Sequence, residues 1–232
     1  MAPLLNGAAF RGAIVLRHLH WDHTHGLPFF GAGDHPDAEV DLYLPAQGAD
    51  PEELLGRGMS PPHFPIRPAQ LRGCWRFHAL DEGTFTLGGF SVTAREIPHK
   101  GGRTFGYRVS DGATALAYLS DHHPLSAGPG ADGFGEYHDA ALALAADVDV
   151  LIHDAQYTAA ELPIRGHFGH STADYAVGLA QEAGAASVVL FHHDPPRTDI
   201  EMDELVASAM RRAGSLPVSA AMADMTIQLG AR

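Results

Sequence analysis

The sequence predicts a mixed α/β fold, two β-sheets covered by helices in an αββα sandwich. Three observations predict it. Short β-type runs fill the first half, strands and helices alternate in the last third, and no linker or internal repeat divides the chain. A length of 232 residues suits one domain, taken as residues 1–232.

The elements follow in order. Ala13–Arg17 is an apolar β-type run that ends directly at His18, and Asp22–Phe30 fits a turn and short helix. Val40–Leu44 alternates as a strand. Pro51–Gly58 reads as a helix with Asp50 as N-cap and proline at its first position. The proline-rich stretch 60–70 is an extended loop. Strands are expected at Cys74–Ala79, Phe85–Leu87, Phe90–Ile97, Thr104–Val109 and Ala115–Leu119, with a hairpin turn at Asp111-Gly112. Residues 126–135 form a loop. Glu136–Ala146 is helical and Val148–His153 a buried strand. Ser171–Gly184 reads as a helix capped by Ser171, Ser187–Phe191 as a strand, Asp199–Ala213 as an amphipathic helix, and Val218–Leu229 as β-like.

Composition narrows the function. The formal net charge is −13, and Lys100 is the only lysine. So acidic a chain is a poor generic binder of polyanions. No apolar run reaches membrane-spanning length, and the N-terminal stretch shows no signal-peptide pattern, so a cytoplasmic protein without membrane contact is expected. Cys74 is the only cysteine, which excludes intrachain disulfides and cysteine-rich zinc structures; a small buried residue is expected there. Histidine stands out with 16 copies, more than a solvated surface needs and in keeping with a metal site.

The histidines are concentrated where strands end. His18, His20, Asp22 and His23 follow the first strand within six positions. On an extended backbone residues two apart point the same way, so His18 and His20 can grip one ion while Asp22 and His23 face a neighbouring position. Imidazole and carboxylate donors suit zinc, manganese or iron. With no thiolate available, an open catalytic site is favoured over a closed structural one. His99, Asp121 and His192 each end a further predicted strand. Such ends converge on one rim, where loops build active sites.

The run H-x-H-x-D-H over His18–His23 resembles the hallmark of the metallo-β-lactamase superfamily. Further pieces resemble its ribonuclease Z-like and phosphodiesterase-like branch: His99 followed by Phe105-Gly106-Tyr107-Arg108, Ser120-Asp121, Leu151-Ile152-His153-Asp154-Ala155, Gly169-His170-Ser171-Thr172 and Val189-Leu190-Phe191-His192. The resemblance implies two divalent metal ions, zinc foremost with manganese or iron as alternatives. His18, His20 and His99 would hold the first; Asp22, His23 and His192 the second; Asp121 would bridge them. Asp22, Asp121 and His170 would be the catalytic groups, His170 acting near the leaving group. The implied activity is hydrolysis of a phosphodiester or related small ester. A lactonase or thioester hydrolase on the same fold, or a truncated inactive metal-binding module, are the alternatives.

Several residues stay open at this point. His122, His123, His153 and His193 flank motif positions and could take a ligand's place. Asp154 could orient an imidazole. Arg103 and Arg108 could meet a phosphate or serve as surface charge. His25, His35, His63, His78, His138 and His167 are expected to be non-ligands. The superfamily normally carries strands and a Gly-rich turn ahead of the motif, so N-terminal truncation, an incomplete first sheet and a covering homo-oligomer are expected. Only a tight hairpin lies between Arg108 and Asp121, and with the negative charge this argues against transfer RNA as substrate.

Overall fold

The computed structural model describes residues 7–230; the opening of the N-terminal stretch, residues 1–6, and residues 231–232 lie outside the described residues. The chain forms two compact units, one running to Asp81 and including Gly101–Arg103, the other comprising Glu82–Lys100 and the chain from Thr104 onward. Among the described residues no helix is long and apolar enough to cross a membrane.

The first unit holds a parallel three-stranded sheet in the order β1 (Arg11–Val15), β2 (Glu39–Pro45), β3 (Cys74–Leu80). Period-two alternation gives β2 two unlike faces. Val40, Leu42 and Leu44 point inward and are fully buried. Leu42 and Leu44 pack in a core with Leu16, Leu27, Leu55, Met59 and Leu71, joined by Trp75 and Phe77 of β3. On the opposite face Asp41 stands directly across from Arg76, whose Nε and Nη2 each donate to it at 2.7 Å, and His78 Nε2 lies 2.8 Å from the same carboxylate. Cys74 is exposed rather than buried. It shares the Arg76 face of an edge strand, and Arg76 Nη1 donates to its Sγ at 3.3 Å. Helix α1 (Trp21–Thr24) follows β1, and α2 (Pro51–Gly56) begins where Asp50 accepts the amides of Glu52 and Glu53.

The second unit holds a seven-stranded mixed sheet. In chain order its strands are β4 (Gly83–Leu87), β5 (Phe90–Glu96), β6 (Phe105–Ser110), β7 (Ala115–Leu119), β8 (Val150–Asp154), β9 (Val188–Phe191) and β10 (Val218–Ala220), and in space they run β10-β9-β8-β7-β6-β5-β4. β4 to β7 pair antiparallel and β7 to β10 parallel. Because β5 and β7 both oppose β6, the C-terminal ends of β5, β7, β8 and β9 emerge at one edge. Helices α3 (Asp139–Ala145), α5 (Ala173–Glu182) and α6 (Asp199–Ala213) pack on this sheet and on one another. Their inward residues are largely alanine, which lets helix and sheet approach closely; Ala141, Ala145, Ala176 and Ala180 are fully buried.

Local chemistry explains most boundaries. Asp111 Oδ1 accepts the amides of Ala113 and Thr114 in the β6–β7 turn, and Gly112 takes the positive φ that the turn requires. α6 starts with a capping box between Thr198 and Glu201. The cap of α5 is Thr172, whose hydroxyl accepts the Tyr175 amide, not Ser171 as the sequence suggested. The short helix α4 (Leu162–Arg165) was not foreseen. The C-terminal strand stops at Ala220, far short of Leu229, because its partner β9 ends at Phe191 and His192 turns away with φ of 55°.

Two stability outcomes follow from this packing. A Cβ on Gly106 would sit 2.3 Å from Leu119 Cδ2 and 2.8 Å from Leu144 Cδ1. Gly106→Ala should cost about 1–3 kcal/mol by urea unfolding, the range for overpacked cores. The Arg76 guanidinium holds the Asp41 carboxyl down at about 2, with His78 contributing. A carboxyl lowered on folding stabilises above its unfolded pKa of about 4 and loses that effect as pH falls through the folded value. Asp41→Asn should therefore cost about 1 kcal/mol at neutral pH, allowing for solvent screening, and the difference from the parent should vanish between about pH 4 and pH 2.

Candidate metal centre

In the first unit the candidate ligands share one short turn. β1 ends at Val15, His20 is still extended (φ −64°, ψ 156°), and α1 begins at Trp21. This geometry gathers three imidazoles. The His18 ring lies 4.3 Å from that of His20 and 4.4 Å from that of His23, and His18 is buried. Asp22 Oδ2 is 3.1 Å from His23 Nε2. Thr24 Oγ1 donates to the His20 carbonyl and ties the turn. Gly101 leaves room for His20, since a Cβ there would lie 2.7 Å from its Nε2.

In the second unit the candidates sit where β5, β7, β8 and β9 end. Asp121, just past β7, has no exposed surface. Its Oδ1 accepts from Ser120 Oγ at 2.7 Å, leaving Oδ2 to face His192 Nε2 at 3.5 Å and His99 Nε2 at 3.9 Å. A charge-assisted hydrogen bond would be near 2.8 Å. Two donors each about 2.1 Å from a tetrahedral ion stand about 3.4 Å apart. The spacing therefore fits ligands of a shared cation. Asp121 and His192 both adopt left-handed backbone, with φ of 53° and 55°. Non-glycine residues pay for that conformation, and such strain gathers at functional sites.

Two outer contacts set the ring nitrogens. His99 Nδ1 lies 2.8 Å from the Gly169 carbonyl, to which it can only donate, so Nε2 carries the lone pair turned toward Asp121. His170 Nδ1 lies 2.9 Å from Asp154 Oδ2, and its ring stacks on His192 at 4.7 Å. Asp154 also accepts the amides of His122 and Gln156. Its orienting role thus falls on His170. The signal was already in the sequence as an acidic residue ending a buried strand.

The flanking histidines are placed elsewhere. His122 and His153 are buried and pair with each other, Nδ1 to Nε2 at 3.0 Å, against Tyr175. His193 Nε2 donates to the Ala221 carbonyl at 3.1 Å, and burial lowers the pKa of its ring. Burial, with Lys100 next in weight, lowers that of His123. The arginines are structural. Arg108 donates to the carbonyls of Leu144 and Ala146, and Arg103 to Asp81 and the Ala46 carbonyl.

Residues 7–193 match the β-lactamase superfamily domain family. Ribonuclease Z of Limosilactobacillus fermentum is 26% identical over 77% of this chain and 68% of its own length. Among solved structures, the metallo-β-lactamase fold protein YhfI from Bacillus subtilis superposes with a TM-score of 0.65 at 20% identity, covering 90% of this chain and 74% of that one. A diphosphatase from the PhnP family gives 0.66 at 21% identity, covering 98% and 75%. These likenesses bear out the α/β fold class.

Asp154→Asn should separate orientation from ligation. The amide group turns a donor toward a donor, either at Gln156 or at His170, costing about 1–3 kcal/mol for the unmet group. In nitrogen NMR, His170 should be a single Nδ1-protonated tautomer in the parent and a mixture in the variant, while His99 keeps its tautomer.

Proposed function

The chain belongs to the metallo-β-lactamase superfamily, in its ribonuclease Z-like branch, and from that premise we propose that it is a metal-dependent hydrolase of a phosphodiester or related small ester. The observation that carries the proposal is Asp121 Oδ2 set between His99 Nε2 and His192 Nε2, with the Asp154–His170 pair beside them. Superfamily members are hydrolases, and the donor set suits divalent ions. The family resemblance implies the assignment of the candidate ligands. His18, His20 and His99 would hold one ion, Asp22, His23 and His192 a second, and Asp121 would contribute to both. Zinc leads, with manganese and iron also matched to imidazole and carboxylate. When bound, such ions supply Lewis acidity, acidifying water and offsetting charge on phosphoryl oxygens.

The residues themselves move the protons. Asp22 takes one from the attacking water as its oxygen bonds to phosphorus. The opposite phosphorus–oxygen bond breaks, and His170 in its doubly protonated form, held by Asp154 at Nδ1, gives a proton from Nε2 to the departing alkoxide. A net charge of −13 favours a small ester over transfer RNA.

Purified full-length protein should contain up to two transition-metal ions by mass spectrometry and cleave bis(p-nitrophenyl) phosphate. Asp121→Ala should lose metal and nearly all turnover. His170→Ala should keep its metal and slow turnover about 100-fold or more, as loss of a general acid does. A metal-loaded protein inert toward phosphodiesters, carboxylic esters and lactones would overturn the proposal.

A further inference from the structure

The first unit contains a cavity of about 590 Å³, within the range of small-molecule sites. Leu55 and Met59, both buried in the unit's core, form its base. Trp21, Phe29 and Phe64 wall it, with Phe29 edge-on to Phe64 at 5.9 Å. Trp21 and Phe29 are 72% and 76% exposed, an unusual placement for two large aromatics that border one cavity. An aromatic guest between such rings gains both burial and ring-on-ring contact.

The charged lining is a single cation, Arg57, with Thr24, His25 and His63 as the other polar residues. No carboxylate lines the cavity, although the chain as a whole carries a net charge of −13. Arg57 is exposed and makes no ion pair among the described residues. Trp21 lies between His20 and Asp22, so one cavity wall and the ligands of the first unit share a single turn. Gly58 sits beneath Trp21 and His25. A Cβ there would be 4.0 Å from Trp21 Nε1 and 3.8 Å from His25 Nε2, so any longer side chain would enter the cavity.

We propose that this cavity is a specificity pocket for the aromatic group of an anionic aryl ester, with Arg57 meeting the negative charge. The assignment of that guest as substrate rests on the hydrolase proposal above; the binding itself does not. A methyl or ethyl ester would leave most of the cavity to water, whereas a planar ring fills the space between Trp21, Phe29 and Phe64.

The test uses full-length protein as purified and two probes without a scissile ester, 4-nitrobenzylphosphonate and methylphosphonate. Titration calorimetry and quenching of Trp21 fluorescence should show the aryl probe binding at least tenfold tighter. Gly58→Leu, which plugs the cavity, and Trp21→Ala, which removes an exposed wall, should each reduce that preference below twofold. Arg57→Gln should weaken the aryl probe severalfold. Thermal melting checks that each variant folds, and Trp21→Ala serves alone if Gly58→Leu does not. Equal affinity for the two probes in the parent, or a preference that survives Trp21→Ala, overturns the pocket. Aryl-selective binding with no hydrolysis of any ester overturns the hydrolase proposal and leaves the pocket standing; hydrolysis with no aryl preference does the reverse.

Discussion

A carboxylate with no exposed surface sets the terms for the second unit. Removing Asp121 from water costs free energy that only close partners can offset. Ser120 Oγ answers one oxygen, and two imidazole nitrogens face the other. These partners come from the ends of different strands, so the sheet order places them and the burial makes their placement obligatory. The left-handed backbone at Asp121 and at His192 belongs to the same constraint. Each turn bends the chain out of its strand and aims the side chain at a point that a continuing strand would miss.

Asp154 extends the arrangement outward. One carboxylate, itself fully buried, accepts from two backbone amides and from His170. The amides belong to residues following β7 and β8, so the group that orients His170 also fastens two neighbouring strand ends. Rigidity at the ring and rigidity at the sheet edge therefore have a single source.

Much of this was legible in the sequence. The H-x-H-x-D-H run is recognisable by its spacing and its likeness to a family motif, and the three distant candidates stand out because each follows an apolar β-type run. The family match bears out the superfamily reading. What the sequence could not give was partner choice. His122 and His153 adjoin the motif positions Asp121 and Asp154, yet they pair with each other in the core, because that depends on which face each side chain takes where its strand ends. Cys74 was misread for a related reason: a small residue beside Trp75 looks buried until the edge position and the Arg76 face of β3 are known. The C-terminal strand was overextended because its length is set by β9, not by its own residues.

The two sets of candidate ligands differ in how far apart they lie along the chain. His18 to His23 occupy one turn, so their geometry is nearly all local. His99, Asp121 and His192 are separated by most of the second unit and come together only when β5 through β9 are paired in register. A slip of one residue in β7 or β9 would turn the candidate ligand of that strand to the opposite face. Under the proposed function, ion capture by the second unit would thus check its assembly: only a correctly zipped sheet presents these donors together, and a bound cation would favour that pairing over its misaligned competitors.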